Sequence, residues 1–110
     1  YAAAKHALHG FYDAARAELW RENVKFTLAC PGYVRTNVSV NAVTGSGAAN
    51  GIMEKSIAGG VDPMICAEKI WRGVERDRDE VLIGKERLVV YLKRFFPALF
   101  GHIIKRIKPS

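Results

Sequence analysis

Along the first twenty residues, apolar or small side chains fall at Tyr1, Ala4, Leu8, Phe11, Ala15 and Leu19, with Ala7, Tyr12 and Ala14 widening the stripe. Spacings of three and four over five turns predict an amphipathic helix running to about Glu22. The stripe is broader than one core contact requires, so a second buried face is expected, with a single amphipathic core helix as the alternative. The pattern then changes period. Val24-Lys-Phe-Thr-Leu-Ala-Cys30 alternates at first and turns apolar throughout before Pro31-Gly32, which predicts a strand over 24–30 of the kind found inside a parallel sheet. Residues 37–60 are rich in Gly, Ser, Asn and Ala and hold neither period, as expected of a loop that covers a site or of an insert without fixed structure.

Asp62-Pro63 reads as a helix start, Asp capping the first turn and Pro at its first position. Met64, Ala67, Ile70, Trp71 and Val74 then predict one apolar face as far as about Asp77. After the polar turn Arg76–Asp79, Val81-Leu82-Ile83 predicts a short buried strand. Helix, strand, helix and strand in this order predict an α/β fold, the C-terminal part of a doubly wound parallel sheet. In such sheets ligands bind beyond the carboxyl ends of the strands, where Pro31 to Thr36 fall.

Charge divides the chain into 1–84 and 85–110. The net charge is +6, yet residues 1–84 hold ten basic and ten acidic side chains, whereas 85–110 hold seven basic residues and one acid, Glu86. The basicity belongs to a tail that alternates cations with Leu88, Val89, Val90, Tyr91, Leu92, Phe95, Phe96, Leu99, Phe100, Ile103, Ile104 and Ile107, interrupted at Pro97. A nucleic-acid groove spread over the domain is therefore not expected. A basic, aromatic amphipathic tail suits an anionic membrane surface or an apolar groove of its own subunit or a neighbour. Cys30 and Cys66 have no metal-ligand spacing, and reduced, buried thiols in a cytoplasmic protein are expected, membrane association being one of the two readings of the tail. No apolar run approaches the length of a membrane span, and the Asn37-Val38-Ser39 sequon is read as chance in a loop near the site. Gly45 to Gly51 misses G-x-G-x-x-G spacing by one and is not a phosphate loop.

Chemistry enters with Tyr1 and Lys5. Four residues apart on a helix, they share a face. A phenol with a pKa near ~10 is ionised about once in a thousand molecules at neutral pH, and an adjacent ammonium favours the phenolate. The Tyr-x-x-x-Lys spacing is weak by itself. Joined to Cys30-Pro31-Gly32-Tyr33-Val34-Arg35-Thr36 after the next strand, it resembles the C-terminal half of the short-chain dehydrogenase/reductases. The likeness continues through Asn37–Thr44, Asp62-Pro63, Glu80–Gly84 and Tyr91-Leu92-Lys93, and is strongest to the dehydrogenase/reductase member 7-like branch.

The resemblance implies a Rossmann-type fold and an NAD(P)-dependent oxidoreductase that moves hydride between nicotinamide and a small carbonyl or alcohol substrate. It implies Tyr1 as general acid/base, Lys5 lowering its pKa and holding the ribose, and Tyr1, Lys5, Pro31, Gly32, Val34 and Thr36 as cofactor contacts. By family habit NADP(H) is preferred over NAD(H), no metal is used, and the first helix joins subunits of a homodimer or homotetramer. Tyr33, Val38 and Val40 are candidate substrate contacts. Because the family's Gly-rich turn and its catalytic Ser and Asn do not occur in these residues, the 110 residues alone are expected to be inactive. The alternatives are a non-catalytic membrane-surface or partner-binding module acting through the tail, and a pseudoenzyme that keeps the fold.

Overall fold

A computed structural model describes residues 1–107. Its elements in chain order are helix α1 (Ala2–Leu19) with a 3₁₀ turn at Trp20–Glu22, strand β1 (Leu28–Pro31), short helix α2 (Lys55–Ala58), helix α3 (Pro63–Glu75), strand β2 (Glu80–Ile83), and helices α4 (Arg87–Phe95) and α5 (Pro97–Ile104). The strands pair in parallel, Leu28 opposite Glu80 through Pro31 opposite Ile83. A parallel pair needs a crossover on the sheet's face, and α3 supplies it.

β1 is shorter than the strand expected over 24–30, and it includes Pro31. Both differences follow from the ladder. β2 offers four residues, so pairing begins where the Leu28 N–H donates to the Asp79 carbonyl at 2.9 Å. Upstream, the Phe26 carbonyl accepts from Arg16 Nη2 at 3.1 Å instead. Pro31 was expected to end the ladder, but in a parallel pair alternate N–H groups of a strand point to opposite sides. The N–H groups of Leu28 and Gly32 face β2, the latter donating to the Ile83 carbonyl at 2.8 Å. The nitrogen of Pro31 faces the other edge, where no ladder bond to β2 is lost.

Side chains on β1 and β2 alternate between two faces, both covered at β2, while Ala29 and Pro31 of β1 stay exposed. On one, α3 comes close enough to Val81 that a Cβ at Gly73 would overlap it. Cys66 and Gly73 are buried there and Ile70 is half-buried. The apolar face expected on this helix is thus only partly its covered face: Met64 is 69% exposed and Trp71 63%. On the other face, α1 and α4 approach Cys30, Glu80 and Leu82. Arg16 fastens α1, donating also to the Asp79 carbonyl at 3.2 Å, with Nε 3.2 Å from Asp79 Oδ1 in an ion pair off the hydrogen-bond line. Tyr12 packs on Phe26 with ring centroids 5.4 Å apart. The bond from Arg94 to Glu80 Oε2, 3.1 Å, fastens α4. Ile83, 2% exposed, is the centre of the small core.

The 37–60 stretch has more order than its composition predicts. Thr44–Ala48 closes a tight turn with Gly47 at φ +84°, flanked by an antiparallel bridge between Val43 and Ala49. Ser39 is buried, accepts from the Glu54 N–H and donates to Met53. A parallel bridge between Val34 and Val61 brings the end of this stretch back beside β1.

Two stability effects should follow. Gly73→Val places a side chain where Val81 sits and should cost about 1–3 kcal/mol, as overpacking does; in urea unfolding, Val81→Ala in the same chain should recover part of the loss. At the start of α3, the Met64 N–H bond (2.9 Å) and then the Arg35 guanidinium (2.7 Å) hold the Asp62 carboxyl below its usual range. A depressed carboxylate stabilises above its unfolded pKa of ~3.9 and stops doing so as pH falls through the folded value. Asp62→Ala should therefore lower the melting temperature at pH 7, and the gap to the unmodified chain should close in melts taken progressively below about pH 4.

Candidate functional site

Tyr1 caps the start of α1, and its carbonyl accepts the Lys5 N–H at 3.0 Å, so the two side chains are fixed one turn apart by the first helical bond. The Lys5 ammonium lies 5.6 Å from the centroid of the Tyr1 ring, within cation–π range. Tyr1 is 96% exposed. Both residues line a cavity of about 370 Å³ whose other walls are Leu8 and His9 of α1 and Leu28 to Pro31 of β1. The phenol, the ammonium and the end of the first strand thus meet at one open edge of the sheet.

The remaining expected site residues are placed differently. Gly32 follows β1 directly, but the side chain of Glu86 occupies the space a Cβ would take there, and also lies beside Gly84, whose φ is +99°. The bare backbone at Gly32 therefore admits a carboxylate from the turn before α4. Val34 is half-buried through its bridge to Val61. Thr36 and Val38 are exposed, Tyr33 is 44% exposed, and Val40 is half-buried under the 37–60 loop. None of Gly32, Tyr33, Val34, Thr36, Val38 and Val40 lines the Tyr1 cavity. The structure gathers Tyr1, Lys5 and Pro31, and leaves the other residues along the continuation of β1.

Tests of fit to a nicotinamide dinucleotide give two results. Lys5 offers an ammonium and Tyr1 a hydroxyl into one cavity, a donor set suited to a ribose and a carbonyl oxygen. At Gly32 the Glu86 carboxylate stands in the approach and would repel a pyrophosphate, so a bound dinucleotide requires that side chain to turn away. Glu86 is a residue the sequence pattern did not single out, although it is the single acid of the 85–110 tail.

His9 and Cys30 were also not singled out as a pair. His9 lies two turns along α1 from Tyr1, and its Nε2 is 3.8 Å from Cys30 Sγ. Burial, then the negative charge of Glu80, pushes the Cys30 thiol above its ordinary range, with Arg94 acting in the opposite direction. Cys66 is buried on the covered side of α3, and the two cysteines are both free.

The short chain dehydrogenase family model matches residues 1–47, which carry Tyr1, Lys5 and the Pro31–Thr36 turn. The chain is 38% identical over 108 residues to a dehydrogenase/reductase SDR family protein 7-like from Anopheles gambiae, covering 96% of this chain and 34% of that protein. It is 40% identical over 106 residues to dehydrogenase/reductase SDR family member 7B of Danio rerio (94% of this chain, 34% of that protein), and 41% identical over 106 residues to the member 7B of Xenopus laevis (94% and 33%). The chain spans about a third of the length of these relatives. No solved structure matches it. With its parallel strands and helices on both faces, the chain belongs to the short-chain dehydrogenase/reductase family, whose fold is of the Rossmann type, and is similar to the member 7-like branch.

Proposed function

We propose that this chain carries the proton-transfer half of an NAD(P)-dependent oxidoreductase acting on a carbonyl or alcohol. The observation that carries this reading is the cavity in which Tyr1 and Lys5 meet the end of β1. A nicotinamide bound beyond that strand supplies the hydride in reduction and takes it up in oxidation. Tyr1 Oη donates its proton to the substrate oxygen in reduction and removes it in the reverse direction. Lys5, one turn along from Tyr1, donates to the ribose of the cofactor. Pro31, Gly32, Val34 and Thr36 contact the cofactor through backbone and hydroxyl groups, while Tyr33, Val38 and Val40 contact the substrate. NADP(H) is the preferred cofactor, and the uncovered side of α1, where Phe11 is 66% exposed, is the subunit contact of a homodimer or homotetramer.

A second reading concerns the tail. Leu88, Tyr91, Phe95, Phe96 and Leu99 of α4 and α5 are exposed beside Lys85, Arg87, Lys93 and Arg94. No helix among the described residues is long and apolar enough to cross a membrane, but a short basic, aromatic pair of helices can lie in an interface. We read it as a surface that attaches a cytoplasmic protein to anionic lipid.

In a chain of the relatives' full length carrying this segment, Tyr1→Phe keeps the ring and removes the proton. Activity should fall by at least the ~100-fold of a lost general acid; an unchanged rate ends the assignment. Lys5→Met should raise the KM for the cofactor as well as lower kcat. The 110 residues by themselves leave Tyr1 open to water, without the dry site such chemistry needs, and should give no NADPH oxidation in a spectrophotometric assay. For the tail, co-sedimentation with phosphatidylserine vesicles should fail in Phe95→Asp/Leu99→Asp and weaken with salt; equal binding to uncharged phosphatidylcholine would remove the role of the cations.

A further inference from the structure

α1, β1 and β2 each contribute one metal-binding side chain to a single point: His9, Cys30 and Glu80. One donor atom from each lies within 4.8 Å of the other two. Cys30 Sγ is 3.8 Å from His9 Nε2 and 4.0 Å from Glu80 Oε1, and Glu80 Oε1 is 3.9 Å from His9 Nδ1. With bonds of ~2.0–2.3 Å, the edges of a tetrahedral zinc site are about 3.3–3.7 Å. Cys30 faces Nε2 of His9 and Glu80 faces Nδ1, so one imidazole nitrogen meets both only within the 4.8 Å that encloses the three donors; the side chains need to close by about 1–1.5 Å, within reach of rotation at His9, which is on the half-exposed side of α1. Glu80 is already oriented: Arg94 holds Oε2 at 3.1 Å and leaves Oε1 toward the thiol. A cavity of about 540 Å³ opens over the group, with room for a fourth ligand.

The donor chemistry selects the ion. A thiolate, an imidazole and a carboxylate carry two negative charges together and match a divalent cation. Sulfur with nitrogen selects zinc or cobalt over magnesium or calcium, which take oxygen. We propose that His9, Cys30 and Glu80 form a three-ligand site for a zinc-like divalent cation, with its fourth position open to the cavity. His9 and Cys30 also line the Tyr1 cavity, so the metal site adjoins the proton-transfer pair, takes none of its donors, and would tie the helix that carries them to both strands. On binding, the Cys30 thiol forms its metal bond as its proton leaves to solvent.

Cobalt(II) makes this visible. The reduced full chain, treated with chelator and titrated with Co²⁺, should show a thiolate-to-cobalt charge-transfer band saturating at one equivalent. Zn²⁺ should displace it and Mg²⁺ should not. Cys30→Ser should abolish the band. Glu80→Gln and His9→Ala should each weaken Co²⁺ binding at least ~10-fold, the low end of the loss seen when even a group supporting a ligand is removed. Cys66→Ser should leave the band intact. Absence of the band from the unmodified chain, its survival in Cys30→Ser, or its loss in Cys66→Ser with far-ultraviolet circular dichroism unchanged would overturn the site. Should Cys30→Ser fail to fold, Glu80→Gln decides: undiminished affinity there rejects the three-ligand assignment.

Discussion

The pairing of Leu28–Pro31 with Glu80–Ile83 is the constraint on which the other arrangements depend. Eight residues make the ladder, and the segments around them are placed by it. Alternation across the two strands sends Val81 to α3 and Cys30, Glu80 and Leu82 toward α1 and α4. The bond from Gly32 to the Ile83 carbonyl extends the pairing past Pro31, so the turn beyond β1 and the turn beyond β2 lie side by side, and Glu86 reaches Gly32. A slip of one residue would exchange the faces. With β2 slipped against β1, Val81 would turn to the His9 side, Glu80 would leave Cys30, and Gly73 would have nothing to receive.

α1 is held to that ladder by polar contacts more than by burial. No residue of the helix is fully buried. Arg16 reaches two backbone carbonyls and Asp79, and one aromatic contact, Tyr12 on Phe26, adds apolar area. Bonds to a charged donor contribute roughly 1.5–3 kcal/mol each, so one arginine does for this helix what an apolar stripe does for most. The stripe of Leu8, Phe11 and Leu19 is left over, and an uncovered apolar face is what a subunit contact or a neighbouring sheet would use. The same holds for Met64 and Trp71 on α3.

Much of this was legible from residue order. Asp62-Pro63 marks a helix start by local chemistry alone, and the Tyr1–Lys5 spacing needs only helical geometry. Contacts that depend on the crossover were not legible. Cys30 is 21 residues from His9 and 50 from Glu80, and no local pattern links them; the parallel register does. β1 starts later than its sequence suggests: Val24 to Thr27 alternate like a strand, while ladder length is set by the partner, and β2 has four residues. On α3, periodicity identifies an apolar face but cannot say whether anything in the chain covers it. A better signal was Gly73, a helix-interior glycine that costs about 1 kcal/mol against alanine and marks the closest approach to the sheet.

Glu86 connects the two halves of the charge pattern. The tail is basic, yet its one acid sits at the glycine turn beyond β1. Two states of this carboxylate are chemically distinct. Turned in, it fills the notch at Gly32 and holds the turn before α4 against the end of the sheet. Turned out, it would leave that backbone open to an anionic ligand. A ligand that displaces it must therefore exceed the packing of that side chain, and would at the same time loosen the start of α4. The turn beyond β1 and the start of the amphipathic tail thus meet at a single carboxylate.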